Sequence, residues 1–309
     1  SHCRSDQSFE LMSKRNLALL AATLVSIIYG LTFTIAKDVM PEFVKPFGFI
    51  LLRVGGATLL FWAIAFLGPK EKIVWEDFPR IVAAAMFGVA INMLTFFKGL
   101  SLTSPISAAV IMVTTPIIVL VLSSIIMKEK MKTRKVFGIV LGLIGTFFLI
   151  LFGKSIGNAP QAGWGNLLVF INAVSYGFYL IIVKKLMDKY NAFTFVKWIY
   201  TFGFIMVLPF GWREFQAIDW HAVPSPIYWE IGFVIFFSTF CTYLLNLLSM
   251  RELKPTTVAV FIYLQPLFAA IIAIGLGKDD LNIVKIVAAT LIFTGVFLVT
   301  QKKPATNNG

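Results

Sequence analysis

Ten separate stretches of this chain are apolar over roughly the twenty residues that a helix needs to cross a bilayer, and that constrains its fold more than any other feature. They are Leu17–Ala36, Phe47–Leu67, Ile81–Leu100, Ile106–Met127 and Val136–Phe152, then Trp164–Val183, Phe193–Trp212, Ile227–Ser249, Thr256–Leu276 and Ile283–Thr300. In lipid, every backbone polar group needs a partner within the protein, so such segments are expected to be helices. Of the 309 residues, 58% are hydrophobic and 14% charged. A soluble domain carries about 25% charged residues. The expected class is therefore an all-α polytopic membrane protein of ten transmembrane helices.

The net charge of +12 does not indicate nucleic acid, because the basic residues sit in short clusters between the apolar runs. With the N-terminus inside, one face collects Lys14, Arg15, Lys70, Lys72, Arg80, Lys128, Lys130, Lys132, Arg134, Lys135, Lys184, Lys185, Lys189, Arg251 and Lys254, among others. The other face holds only Lys37, Lys45, Lys98, Lys154, Arg213, Lys278 and Lys285. The positive-inside rule then makes both termini cytoplasmic, in a multi-pass protein of the cell inner membrane. Residues 1–11 read as a tag or disordered extension ahead of Met12, and residues 302–309 as a cytoplasmic tail. Cys3, Cys241, His2 and His221 form no metal-ligand pattern, so no metal or cofactor is expected.

The chain repeats itself. Tyr29-Gly30 and Lys37 recur as Tyr176-Gly177 and Lys184. Pro105 and Pro116 recur as Pro255 and Pro266, Lys128-Glu129 as Lys278-Asp279, and Gly145 as Gly295. The repeats are 12–152 and 163–301, with 153–162 as linker. Five helices per repeat is an odd number, so the halves enter the membrane in opposite directions. The matched loops fit this: 128–135 is strongly basic, whereas 278–285 balances two bases with two acids. Inverted repeats are a common transporter plan, with substrate bound near the midplane where the halves meet.

On these residues the chain resembles the EamA family of the drug/metabolite transporter superfamily. The resemblance is carried by Tyr29-Gly30…Phe33…Lys37 in the first span and Arg53 in the second. The fourth span adds Ser107-Ala108-Ala109, Pro116 and Glu129. Tyr29 stands where Trp is commoner in that family, and Thr32 where Asn is common. The resemblance implies alternating access around a cavity lined by spans 1, 3, 4, 6, 8 and 9. Substrates across the family include amino acids, nucleotide-related metabolites, sugars and drugs.

Polar groups within the spans are the candidate site, because each is costly in lipid. Asn92 and Phe96 lie one turn apart on span 3. Tyr29 and Phe33 share a face of span 1, as do Asn172, Tyr176 and Tyr179 on span 6. Thr242, Tyr243 and Asn246 belong to a polar stripe on span 8 that also includes Ser238, and span 9 adds Tyr263 and Gln265. Gate or anchor roles fall to Lys37, Arg53, Lys98 and Lys184. Pro116 and Pro266 are expected to kink their helices. Gly138 and Gly142, like Ala84 and Gly88, form small-xxx-small pairs suited to close helix packing. No acid lies at the centre of a span, which disfavours a cation–proton antiporter built on one buried carboxylate. The expected function is a secondary transporter of small amphipathic metabolites, amino acids or related compounds, working as an exporter by alternating access. The alternatives are a multidrug exporter of the same fold and, from another class, an intramembrane enzyme. The expected partners are the small-molecule substrate and the lipid bilayer, with the chain acting as a monomer or homodimer.

Overall fold

The computed structural model of the protein describes residues 2–40, 42–102, 111–151, 162–275 and 283–301. Expectations placed on Pro105, Ser107-Ala108-Ala109, linker residues 153–161, Lys278-Asp279 and the 302–309 tail lie outside the described residues. So do the side chains of Phe33, Lys37 and Lys285.

Apolar composition and the lack of an external hydrogen-bonding solvent make every long element a helix. In chain order these are α1 (His2–Val39), α2 (Pro46–Ile64), α3 (Phe78–Ala85), α4 (Ile91–Leu102), α5 (Thr115–Ile126), α6 (Thr133–Leu151) and α7 (Ala162–Met187). They continue as α8 (Ala192–Gln216), α9 (Ser225–Ile235), α10 (Thr242–Glu252), α11 (Pro255–Val260), α12 (Leu264–Gly275) and α13 (Ile283–Thr300). Helix α1 takes in the residues read from sequence as an extension. Proline at the first or second position starts α2, α3, α5, α9 and α11, where its missing N–H costs nothing. Six helical runs among the described residues are long and apolar enough to cross a membrane; Thr115–Ile126, Pro255–Ala269 and Ile286–Thr300 are shorter apolar helices.

Two runs change winding partway. A π turn at Met86–Ala90 joins α3 to α4, and another at Phe236–Cys241 joins α9 to α10. They start 150 residues apart in sequence, the shift that relates Pro116 to Pro266. A 3-10 turn at Phe261–Tyr263 separates α11 from α12 just before Pro266, and a turn at 113–114 precedes Pro116.

The packing follows a pattern. Helix α1 lies against α10 and α12, while α7 lies against α4 and α5; α2 pairs with α8, and α6 with α13. The α6–α13 contact is backbone to backbone: a Cβ on Gly138 would sit 2.8 Å from Gly295 O, and one on Gly295 would sit 2.6 Å from both Gly138 O and Gly142 N. Only glycine permits that approach. The small-xxx-small pair of Gly138 and Gly142 is thus used within the chain, against α13.

The outward surface is apolar. Leu17, Leu59, Ile125, Phe137, Ile205, Phe293 and Phe297 all point away from the core. Trp75, Trp164, Trp212 and Trp229 are exposed near helix ends, the usual depth of an interfacial aromatic belt.

Candidate functional site

The middle of the bundle holds the polar groups the sequence pointed to, but each is anchored differently. A small cavity is walled by Ser26 and Tyr29 of α1, Tyr176 of α7, Asn246 of α10, Phe261 and Gln265. Its volume is about 10 Å³, room for about one water molecule. Ser26 closes the floor: its hydroxyl donates to Phe261 O at 2.9 Å, where the helix tightens into the 3-10 turn. Tyr29, Tyr176, Asn246 and Gln265 are therefore the expected residues that this cavity brings together. Ala22, Val25, Val258 and Ile262 complete the wall; in sequence they cannot be told from apolar residues that face lipid.

The other expected residues lie around this centre. Tyr176 and Tyr179 stack with ring centroids 6.0 Å apart, and Tyr179 leads to Tyr243 at 6.0 Å and then to Tyr200 at 5.1 Å. Phe61 continues the row, 4.7 Å from Tyr200. The Tyr243 hydroxyl donates to Gly88 O at 2.8 Å, within the first π turn. Asn172 donates through Nδ2 to the backbone carbonyl of Asn92 at 2.7 Å, which ties α7 to α4. Thr242 is buried and donates to Ser238 O at 2.7 Å. Phe96 stands edge-on to Phe97 at 5.4 Å. Tyr263 faces away from the cavity, over Gly142 of α6: a Cβ there would lie 2.4 Å from its ring. Tyr200 was not singled out in the sequence, although a phenol in the middle of an apolar helix is itself the signal.

The second π turn carries a polar contact between helices. Thr239 Oγ1 donates to Val234 O, five residues back, at 2.8 Å, and accepts from Arg53 Nε at 3.0 Å. The neighbouring Ser238 hydroxyl bonds to Thr32 of α1. Arg53 is 7% exposed, and its guanidinium carbon lies 5.5 Å from the Phe97 ring centroid.

At the end of the molecule where α1 starts and α13 finishes, charged groups tie the two parts of the chain together. Glu129 is reached through a left-handed turn at Lys128, φ 52°. It binds Lys135 at 2.5 Å, accepts from Thr256 at 2.7 Å and lies 3.7 Å from Lys254. Burial pushes its carboxyl up, but the hydrogen bonds from Lys135 and Thr256, with the charges of Lys135 and Lys254, outweigh burial and leave it below the ordinary range. Asp77 accepts from Lys189, from Tyr190 at 2.6 Å and from Arg80 at 3.0 Å. The Asp77 hydrogen bond raises the Lys189 ammonium above its usual value. Glu71 accepts from Asn191 N at 2.9 Å and Thr194 Oγ1 at 2.6 Å. Lys184 donates to Met250 O at 2.7 Å and pairs with Asp188 at 3.0 Å. At the opposite end, Glu214 accepts from the N–H groups of Phe47 and Gly48 and so caps α2. Lys98 is exposed near the end of α4.

Among the described residues no cluster of three or more His, Cys, Asp or Glu is arranged to hold a metal. The Pro116 and Pro266 sites both coincide with breaks in winding, and Thr114 and Thr115 hydroxyls satisfy Ile111 O and Met112 O, each at 2.6 Å, at the first of them.

The model described as the EamA-like transporter family matches twice, at residues 16–151 and 163–301. An uncharacterized transporter of Archaeoglobus fulgidus is 27% identical over 89% of this chain and 95% of its own. The uncharacterized transporter YyaM of Bacillus subtilis is 24% identical over 88% and 89%, respectively. A solved crystal structure aligns with a TM-score of 0.74 over 91% of this chain and 95% of that one, at 16% identity, a likeness of fold alone.

Proposed function

The chain belongs to the EamA-like transporter family, and from that premise we propose that it is a secondary transporter that exports small amphipathic metabolites, amino acids or related compounds, by alternating access. The observation that carries this reading is the central cavity. It is polar and aromatic, without an acid, and its walls come from both parts of the chain. Amide, hydroxyl and ring groups suit a solute with one polar end and one apolar end.

We read the fold as ten membrane-spanning helices in two inverted five-helix repeats, with both termini in the cytoplasm. Three observations support it. The family model matches each half separately. The π turns start 150 residues apart. The packing keeps its pattern when the halves are exchanged: α1 against α10 and α12 has its counterpart in α7 against α4 and α5, and α2–α8 and α6–α13 pair equivalent elements. Such symmetry gives two conformations of comparable energy, one open to each side, which is what alternating access requires.

Counterflow in proteoliposomes tests the reading. A preloaded amino acid is expected to drive saturable uptake of its labelled form, and Asn246→Ala and Gln265→Ala are each expected to raise the half-saturating concentration several-fold at unchanged protein yield. No saturable exchange with any amino acid overturns the substrate class. Conductance without saturation overturns the carrier mechanism.

A further inference from the structure

A second cavity lies where α2 finishes and α8 begins, away from the polar centre. Its volume is about 160 Å³, against about 10 Å³ for the central one, so it has room for a phosphate group rather than for one water. One wall is the chain leaving α2, from Ala65 and Phe66 through Gly68 to Lys70 and Glu71; the other is Phe193, Thr194 and Lys197 on the first two turns of α8. Gly68 lets the walls meet, because a Cβ there would lie 2.7 Å from Phe193 Cβ.

The lining is basic. Lys70 and Lys197 reach the cavity from different parts of the chain. Among the described residues neither is ion-paired with a carboxylate. Glu71 lines the cavity too, but its Oε2 accepts from Asn191 N and Thr194 Oγ1, so its charge is directed at the first turn of α8. Two lysines and one glutamate leave one net positive charge. Lys197 is held in place. Its ammonium lies 4.8 Å from the Trp62 ring centroid, and Trp62 is fixed by donating from Nε1 to Thr201 Oγ1 at 2.8 Å.

The surroundings mark the depth of lipid headgroups. Trp62 and Phe78 both stand edge-on to Trp198, at 5.2 and 5.7 Å, and Trp75 beside Phe78 is 80% exposed. Such aromatic clusters sit at the membrane–water interface. On the outer rim Phe66 and Leu67 are 88% and 85% exposed, and Leu59, about two turns earlier on the same helical run, is 74% exposed. An apolar track therefore leads from the basic cavity toward the middle of α2.

We propose that this cavity binds the phosphodiester headgroup of an anionic membrane phospholipid, with Lys70 and Lys197 facing the phosphate and an acyl chain lying along Phe66, Leu67 and Leu59. Basic pockets between membrane helices take such headgroups. A phosphodiester monoanion matches the one net positive charge. Inorganic phosphate shares the charge chemistry but has no chain to cover the apolar rim. Bound between Lys70 and Lys197, the lipid ties together the two parts of the chain that supply them.

Melting temperatures in nanodiscs of phosphatidylcholine alone, and of an equal mixture of phosphatidylcholine and phosphatidylglycerol, test this without reference to transport. Wild type is expected to melt several degrees higher in the mixture. Lys70→Gln and Lys197→Gln are each expected to lose much of that gain, and the double variant nearly all of it. Lys197→Arg, which keeps a cation over the Trp62 ring, is expected to retain it. Lys72→Gln removes the same charge from an exposed neighbour outside the cavity and is expected to retain it as well. Each gain compares one protein in two lipids, so a general loss of stability cancels. Native mass spectrometry is expected to find phosphatidylglycerol retained on wild type and lost from the double variant. No gain in wild type, an undiminished gain in the double variant, or an equal loss in Lys72→Gln overturns the proposal. Inorganic phosphate added to phosphatidylcholine discs is expected to give no gain; if it reproduces the lysine-dependent gain, the site takes free phosphate and the lipid assignment fails.

Discussion

Glu129 keeps its charge although only 6% of its side chain is exposed, and it does so because three groups from two parts of the chain converge on it. Lys135 is on its own side of the sequence; Thr256 and Lys254 come from the other. Replacing one member of a buried pair strands its partner, so Glu129→Gln is expected to cost about 3 kcal/mol at neutral pH. The pH dependence has a definite sign. The folded carboxyl lies below its ordinary value, so its contribution is fully present above the unfolded value of about 4.3 and is lost as pH falls through the lower folded value. The melting-temperature gap between wild type and Glu129→Gln in nanodiscs should hold steady down to about pH 5 and close below about pH 4. A gap that stays constant into strong acid removes the charge from the explanation. Glu129 itself was legible in the sequence, as part of the motif that carries the family resemblance. Its partners were not, because Thr256 lies 127 positions away and no local spacing indicates that contact.

The helices themselves show why polar residues were easier to find than to aim. Ser238, Thr242 and Asn246 make a straight stripe at α-helical spacing, but the π turn at Phe236–Cys241 adds backbone to one turn and rotates what precedes it. Ser238 and Thr239 consequently bond to α1 and α2, whereas Asn246 reaches the cavity. The 3-10 turn at Phe261–Tyr263 shifts the phase of the other element in the same way. Tyr263 ends over Gly142 while Gln265 lines the cavity. The apolar pattern carries no sign of either change of winding. It did carry the close helix contacts, since glycines at four-residue spacing need a neighbouring surface to justify them. The first π turn offers a direct test of one such contact. A Cβ on Gly88 would lie 2.1 Å from the Tyr179 ring, and the same turn receives the Tyr243 hydroxyl. Gly88→Ala is expected to cost about 1–3 kcal/mol by overpacking. Adding Tyr179→Ala should relieve part of that cost, so the double variant should be more stable than the sum of its single losses. Strict additivity, read from melting temperatures of the four proteins, would place the strain elsewhere.

For the molecule as a whole, several ion pairs and hydrogen bonds among the described residues cross between the halves at the end where α1 starts and α13 finishes. Glu71 bonds to Asn191 and Thr194, Asp77 to Lys189 and Tyr190, Glu129 to Thr256, and Arg15 donates to Thr300 O at 2.5 Å. The Glu71 and Arg15 contacts are exposed or partly exposed and individually modest, as surface contacts are, whereas the carboxylates of Asp77 and Glu129 are buried. Together they join parts of the chain that an alternating-access cycle must separate. The central cavity, with room for about one water, cannot admit a metabolite until the bundle opens. If the halves rock, these ties must break once in every cycle, and a bond that cannot break must stop transport. Glu71 and Thr194 give a usable position, because their side chains meet at 2.6 Å and lie outside the central cavity; cysteines there are shorter than the Glu71 side chain, so a short bis-methanethiosulfonate reagent is used to bridge them. With Cys3 and Cys241 replaced by serine, the Glu71→Cys, Thr194→Cys protein is expected to exchange substrate when reduced. When bridged it is expected to lose nearly all counterflow, and a thiol reductant should restore it. Binding of an amino acid to the bridged protein separates a blocked cycle from a damaged site, since a locked bundle that still binds from one side has lost only the motion. Counterflow that continues undiminished with the bridge formed would mean that this end stays closed throughout, and that the solute crosses without rocking of the two halves.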